Sequence, residues 1–103
     1  MKTTIVQPVI KVQLIDSHPI TLWGISHFLA PHEDIQICAS TLSATEALKQ
    51  AASTKPDVIV LEPGLQERHG LDLITGLLKV CNAKIIIFTA FIIFPRKYQV
   101  CVL

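Results

Sequence analysis

Four short apolar runs, each closing on or next to a polar residue, constrain this chain more than any other feature. They are IKVQLID (Ile10 to Asp16), DIQICAS (Asp34 to Ser40), DVIVL (Asp57 to Leu61) and KIIIFTA (Lys84 to Ala90). Their length and β-branched content read as strands, the second alternating strictly with Ile35, Ile37 and Ala39 on one side. Helix-period segments lie between them. HPITLWGISHFLAP sets Pro19 at a helix start, where its missing N–H costs nothing, and Pro31 at the end. At ~100° per residue, Thr21, Leu22, Ile25, Phe28 and Leu29 share one face, with Trp23 and His27 opposite. SATEALKQAAS begins with Ser43 and Glu46 in capping-box spacing, and its Ala44, Ala47, Leu48 and Ala51 stripe suits close packing on a sheet. A third helix runs from Leu71 to about Cys81, with Leu71, Ile74, Leu77, Leu78 and Cys81 facing inward.

The order β-α-β-α-β-α-β with near-continuous apolar runs predicts an α/β fold, a parallel sheet covered by helices on both faces. Ligands of such sheets collect at the carboxyl ends of the strands. Asp16, Glu62 and Thr89 sit at those ends, and Glu62 opens a loop, EPGLQERHG. At 103 residues the chain has room for one domain. Residues 1–9 read as an N-terminal extension, 10–90 as the domain and 91–103 as an atypical apolar tail.

Nine basic and eight acidic residues nearly balance, which gives no electrostatic reason for nucleic-acid binding by this chain. No apolar stretch reaches the ~18 residues of a membrane helix. The start lacks a secretory pattern, and Cys101 stands third from the end where prenylation needs it fourth. A cytoplasmic location is expected. Cys38, Cys81 and Cys101 have no zinc-knuckle spacing and read as free thiols. His18, His27, His32 and His69 form no i, i+4 pair. No glycine-rich nucleotide loop is present. Ser17 and His18 are adjacent in sequence, which does not make a nucleophile–base pair.

LIDSHPITLWGI, KPDVIVLEPGLQERHGLDLI and IIIFTA, in that order, resemble the receiver domain of two-component response regulators, in the subgroup with a LuxR-type output. The resemblance runs from about Ile10 to Ala90. It implies a flavodoxin-like, doubly wound sheet in the order 2-1-3-4(-5), with the last helix-strand-helix missing or replaced here. It also implies that Asp16 is the first acid of a metal site and that Glu62 stands at the phosphoacceptor position. Thr89 matches the switch hydroxyl, and the Gly64 carbonyl matches a main-chain metal ligand. Ser17 takes the place of the second acid. No lysine follows an apolar strand to match the family lysine.

These departures shape the functional expectation. Glutamate carries its carboxylate about 1.5 Å farther out than aspartate, and an error of about 1 Å in placement costs a transfer step roughly a hundredfold. Ser17 removes a charged ligand from a cation that prefers carboxylates. Asp16, Glu62 and Gly64 are therefore expected to hold magnesium weakly at best, with no other cofactor. The expected function is a degenerate receiver, not an enzyme, acting as a phosphorylation-independent interaction module in two-component signalling and transcription regulation. The alternative is a magnesium-dependent, phospho-accepting receiver. The tail FIIFPRKYQVCVL reads as the product of truncation or a shifted frame, with YQVCVL fit for one short strand. Without a fifth helix, half of one sheet face is left bare. Self-association as a homodimer, or a protein partner, is expected, with a histidine kinase a further candidate. The exposed Trp23 beside Ile20 marks a possible contact patch.

Overall fold

The computed structural model describes residues 8–64, 70–88 and 101–102. Eight elements alternate along them: β1 (Ile10–Ile15), α1 (Pro19–Leu29), β2 (Ile35–Thr41), α2 (Ala44–Thr54), β3 (Val58–Leu61), α3 (Gly70–Val80), β4 (Lys84–Ile87) and β5 (Cys101–Val102). The strands pair in parallel in the order β2-β1-β3-β4-β5. This is the flavodoxin-like, doubly wound arrangement expected. The fifth position is filled by two residues, with Cys101 beside Ile86 and Val102 beside Ile87. No helix among the described residues is long and apolar enough to cross a membrane.

Strand order decides which face each helix covers. The β1-to-β2 connection moves one way along the sheet, while β2-to-β3 and β3-to-β4 move the other way. Right-handed crossovers therefore put α1 on one face and α2 and α3 on the opposite one. The core lies under α2 and α3, where Ile15, Ile59, Leu61 and Ile87 meet Ala47, Ala51, Leu73 and Leu77. The alanine stripe is what permits close approach: Ala44, Ala47 and Ala51 are wholly buried, with Leu48 packed against the cluster. Ser43 caps α2 as its spacing predicts, its Oγ accepting from the Glu46 N–H at 3.3 Å.

The amino end of the sheet is stitched chain to chain. The Asp57 N–H donates to the Lys11 carbonyl (2.8 Å), and the Asp57 carbonyl accepts from the Lys84 N–H (2.9 Å). The Asp57 carboxylate accepts from the Lys11 N–H at 2.8 Å. Lys55, left-handed at φ 50°, closes α2 and reaches the Val80 carbonyl through Nζ at 2.7 Å.

Three expectations need correction. Phe28 does not face inward; its side chain is 74% exposed, and no residue of α1 is fully buried. Leu78 is 54% exposed, while Leu73 takes a buried place in α3. Both errors arise because a helical wheel gives angles and not the position of neighbouring elements. In β2, the register slips between Val12 and Gln13, which pair with Ile37 and Ala39. The extra residue, Cys38, breaks the strict alternation. The fourth strand is assigned only as far as Ile87, and Thr89, Ala90 and the run Phe91–Val100 lie outside the described residues. So does the side chain of Leu71.

Candidate functional site

The carboxyl ends of four neighbouring strands, β2, β1, β3 and β4, are held level by successive cross-strand hydrogen bonds. The Asp16 N–H donates to the Thr41 carbonyl (3.2 Å), the Glu62 N–H to the Ile15 carbonyl (2.9 Å) and the Phe88 N–H to the Leu61 carbonyl (3.0 Å). Asp16 and Glu62, one step beyond the paired residues Ile15 and Leu61, are thereby brought to the same end of adjacent strands. Ser17 and Gly64 follow them into the loops. Thr89, the expected switch hydroxyl, lies outside the described residues.

Both carboxylates are engaged with their own loops. Asp16 is buried. Its Oδ1 accepts from the His18 N–H at 2.8 Å and lies 2.8 Å from His18 Nδ1, forming an ion pair when the imidazole is protonated. The bond from Asp16 to the N–H two residues on is an Asx turn, and it sets the chain's entry into α1 just before Pro19. Glu62, half-buried, turns back so that its Oε1 accepts from the Gly64 N–H at 2.8 Å. A Cβ at position 64 would come within 3.1 Å of that same oxygen, so glycine is what allows the carboxylate to lie against the turn.

His18 was not among the residues that sequence reasoning placed in the site. The signal available for it is the spacing Asp-x-His directly before a proline-led helix, the pattern in which an aspartate takes the N–H two residues on.

The donor set does not suit magnesium. That cation demands near-octahedral oxygen ligands and is held through carboxylates. Here one Asp16 oxygen already serves two nitrogens of His18, one Glu62 oxygen serves Gly64, and the residue after Asp16 is Ser17, a hydroxyl and not a second carboxylate. Among the described residues, no three His, Cys, Asp or Glu side chains gather closely enough to hold a metal.

Residues 12–99 match the response regulator receiver domain family. The chain belongs to that family. This receiver domain is 36% identical over 84 residues to a nitrate/nitrite response regulator protein homolog of Haemophilus influenzae, covering 81% of this chain and 40% of the relative. It is 31% identical over 91 residues to the response regulator protein VraR of Staphylococcus aureus, covering 87% of this chain and 44% of that one. Among solved structures, a LuxR-family two-component response regulator from Aurantimonas sp. superposes with a TM-score of 0.73 at 25% identity, over 81% of this chain and 60% of that one. The chain thus spans less than half the length of these curated relatives. It is a receiver domain of the two-component response regulator type, similar in structure to a LuxR-family member.

Proposed function

We propose that this receiver domain signals by protein contacts without accepting a phosphoryl group, as a cytoplasmic module of two-component and transcriptional control. The observation that carries the reading is the Glu62 Oε1 tied to the Gly64 N–H at 2.8 Å, in the residue that the resemblance puts at the acceptor position. A carboxylate one methylene too long, and folded back on its own loop, is poorly placed for in-line attack, where about 1 Å is worth about a hundredfold. Ser17 in place of the second acid removes the charge that would draw in the metal and offset the phosphoryl oxygens. Glu62 instead supplies one fixed negative charge at the strand end, a partial substitute for a phosphorylated aspartate. The contacts that then carry the output are with a protein partner or a second copy, and a histidine kinase remains a candidate for docking without transfer.

Incubation of the purified chain with acetyl phosphate and magnesium, followed by intact mass measurement, tests this. The unmodified mass is expected throughout. A phosphoryl adduct that fragmentation places on Glu62 overturns the reading.

A further inference from the structure

The near balance of charge along the chain hides a segregation between the two ends of the sheet. At the carboxyl end stand Asp16 and Glu62, with Glu46 and Asp72 in the first turns of α2 and α3. No Lys or Arg among the described residues accompanies them there. At the amino end, where α2 and α3 finish and β1, β3 and β4 begin, stand Lys11, Lys55, Lys79 and Lys84. These are four of the five Lys and Arg side chains among the described residues. The acids of that end are Asp57 and, on the far edge beyond β1, Glu33 and Asp34.

Two of the four lysines serve the fold. The last carbonyls of a helix carry partial negative charge. Lys11 Nζ donates to the Thr54 carbonyl at the end of α2, and Lys55 Nζ to the Val80 carbonyl at the end of α3. The side chains of Lys79 and Lys84 have no hydrogen bond or ion pair among the described residues, so their charge is left over. Between the two helix ends lies a cleft of about 420 Å³, lined in part by Lys55, Asp57, Leu78, Lys79, Val80 and Asn82. A volume of that order suits a small organic ligand.

The lining sorts ligands by their chemistry. The Lys79 ammonium and the Asn82 amide are donors for an anion, and the exposed Leu78 with Val80 gives an apolar wall. Asp57 is the opposing acceptor. One of its carboxylate oxygens takes the Lys11 N–H at 2.8 Å, and the other has no partner among the described residues. A bare cation meets the lysines, and a bare anion meets Asp57. A molecule with a dianion at one end and hydroxyls at the other satisfies both. We propose that the cleft binds a phosphate monoester of a polyol, the shared chemistry of sugar phosphates and nucleoside monophosphates. Lys79 holds the phosphate as a point charge, Lys84 raises the positive potential around it, and Asp57 accepts from the hydroxyls. The inference goes beyond the reading above, because the cleft lies at the opposite end of the sheet from Glu62 and is indifferent to what that residue accepts.

The isotope-labelled full chain tests this by NMR titration with ribose 5-phosphate, AMP, inorganic phosphate and ribose. Ribose 5-phosphate is expected to give saturable amide shifts at Lys55, Asp57, Lys79 and Asn82, inorganic phosphate weaker ones and ribose none. Lys79→Gln, at an exposed position, is expected to lower the affinity about 5-fold, the size of one exposed charge pair. Lys49→Gln, midway along α2, is expected to leave it unchanged. Asp57→Asn is expected to remove the preference for ribose 5-phosphate over inorganic phosphate. AMP binding more tightly than ribose 5-phosphate bears the proposal out with a nucleotide as the source, and equal binding bears it out with a sugar phosphate. An absence of shifts overturns the proposal, as do shifts at Asp16 and His18 instead, an affinity that Lys79→Gln leaves unchanged, or inorganic phosphate binding as tightly as ribose 5-phosphate. The acetyl phosphate experiment reads a covalent mass at the other end of the sheet, so either result can fail without the other.

Discussion

The side-chain amide of Gln13 crosses from β1 to α2 and donates through Nε2 to the backbone carbonyl of Ala47 at 2.9 Å, with both residues fully buried. Its other end is the weak point. Gln13 Oε1 is buried and has no hydrogen-bond partner among the described residues. An orphaned acceptor carries a desolvation penalty of about 1–3 kcal/mol, while the bond it accompanies contributes about 1 kcal/mol net. The Ala47 carbonyl also lies inside α2, where the helix supplies a donor of its own.

Gln13→Met removes the orphan, keeps nearly the same volume and adds apolar contact. It is expected to raise stability by about 1 kcal/mol. Urea unfolding of the variant should show a higher midpoint with an unchanged m-value. A lower midpoint would mean that the crossing bond outweighs the unpaired oxygen.

The cap of α2 gives a prediction of opposite sign. Ser43 Oγ accepts the Glu46 N–H, one of four helix donors that otherwise lack partners. Ser43→Ala is expected to lower stability by about 1 kcal/mol, read as a reduced urea midpoint. Because α2 delivers Ala44, Ala47 and Ala51 to the core, the loss should appear in global unfolding and not as local fraying.

The acidic end of the sheet gives the third. If Ser17 and the length of Glu62 are what make the site unsuited to magnesium, shortening one and charging the other should reverse it. The double variant Ser17→Asp, Glu62→Asp is expected to bind magnesium at least ~10-fold more tightly than the wild-type chain, since carboxylate count and placement govern affinity for this cation. Calorimetric titration checks it. Equal heats from the two proteins would place the cause elsewhere.

The parts of this molecule that were legible in its sequence are those where local chemistry and packing agree. The Ser43–Glu46 spacing and the small residues behind it announced both the start of α2 and its buried side. The acids Asp16 and Glu62 could be placed at strand ends because an apolar run stops there whatever the tertiary structure does. Phe28 was misplaced for the converse reason. α1 carries large apolar residues on more than one side, with Ile20, Trp23 and Phe28 all exposed, so periodicity could not single out the face that a sheet would cover. The Asp16–His18 and Glu62–Gly64 bonds depend on side-chain rotamers within tight turns, which residue type alone does not determine. Gln13 looked like the polar member of an alternating strand, and only the presence of α2 on that side shows it to be interior.

The glycine two residues beyond Glu62 ties two positions of the acidic loop to one constraint. A Cβ at 64 would meet the Glu62 carboxylate at 3.1 Å, so any larger residue there obliges the acid to turn aside, and a change at either position is felt at the other.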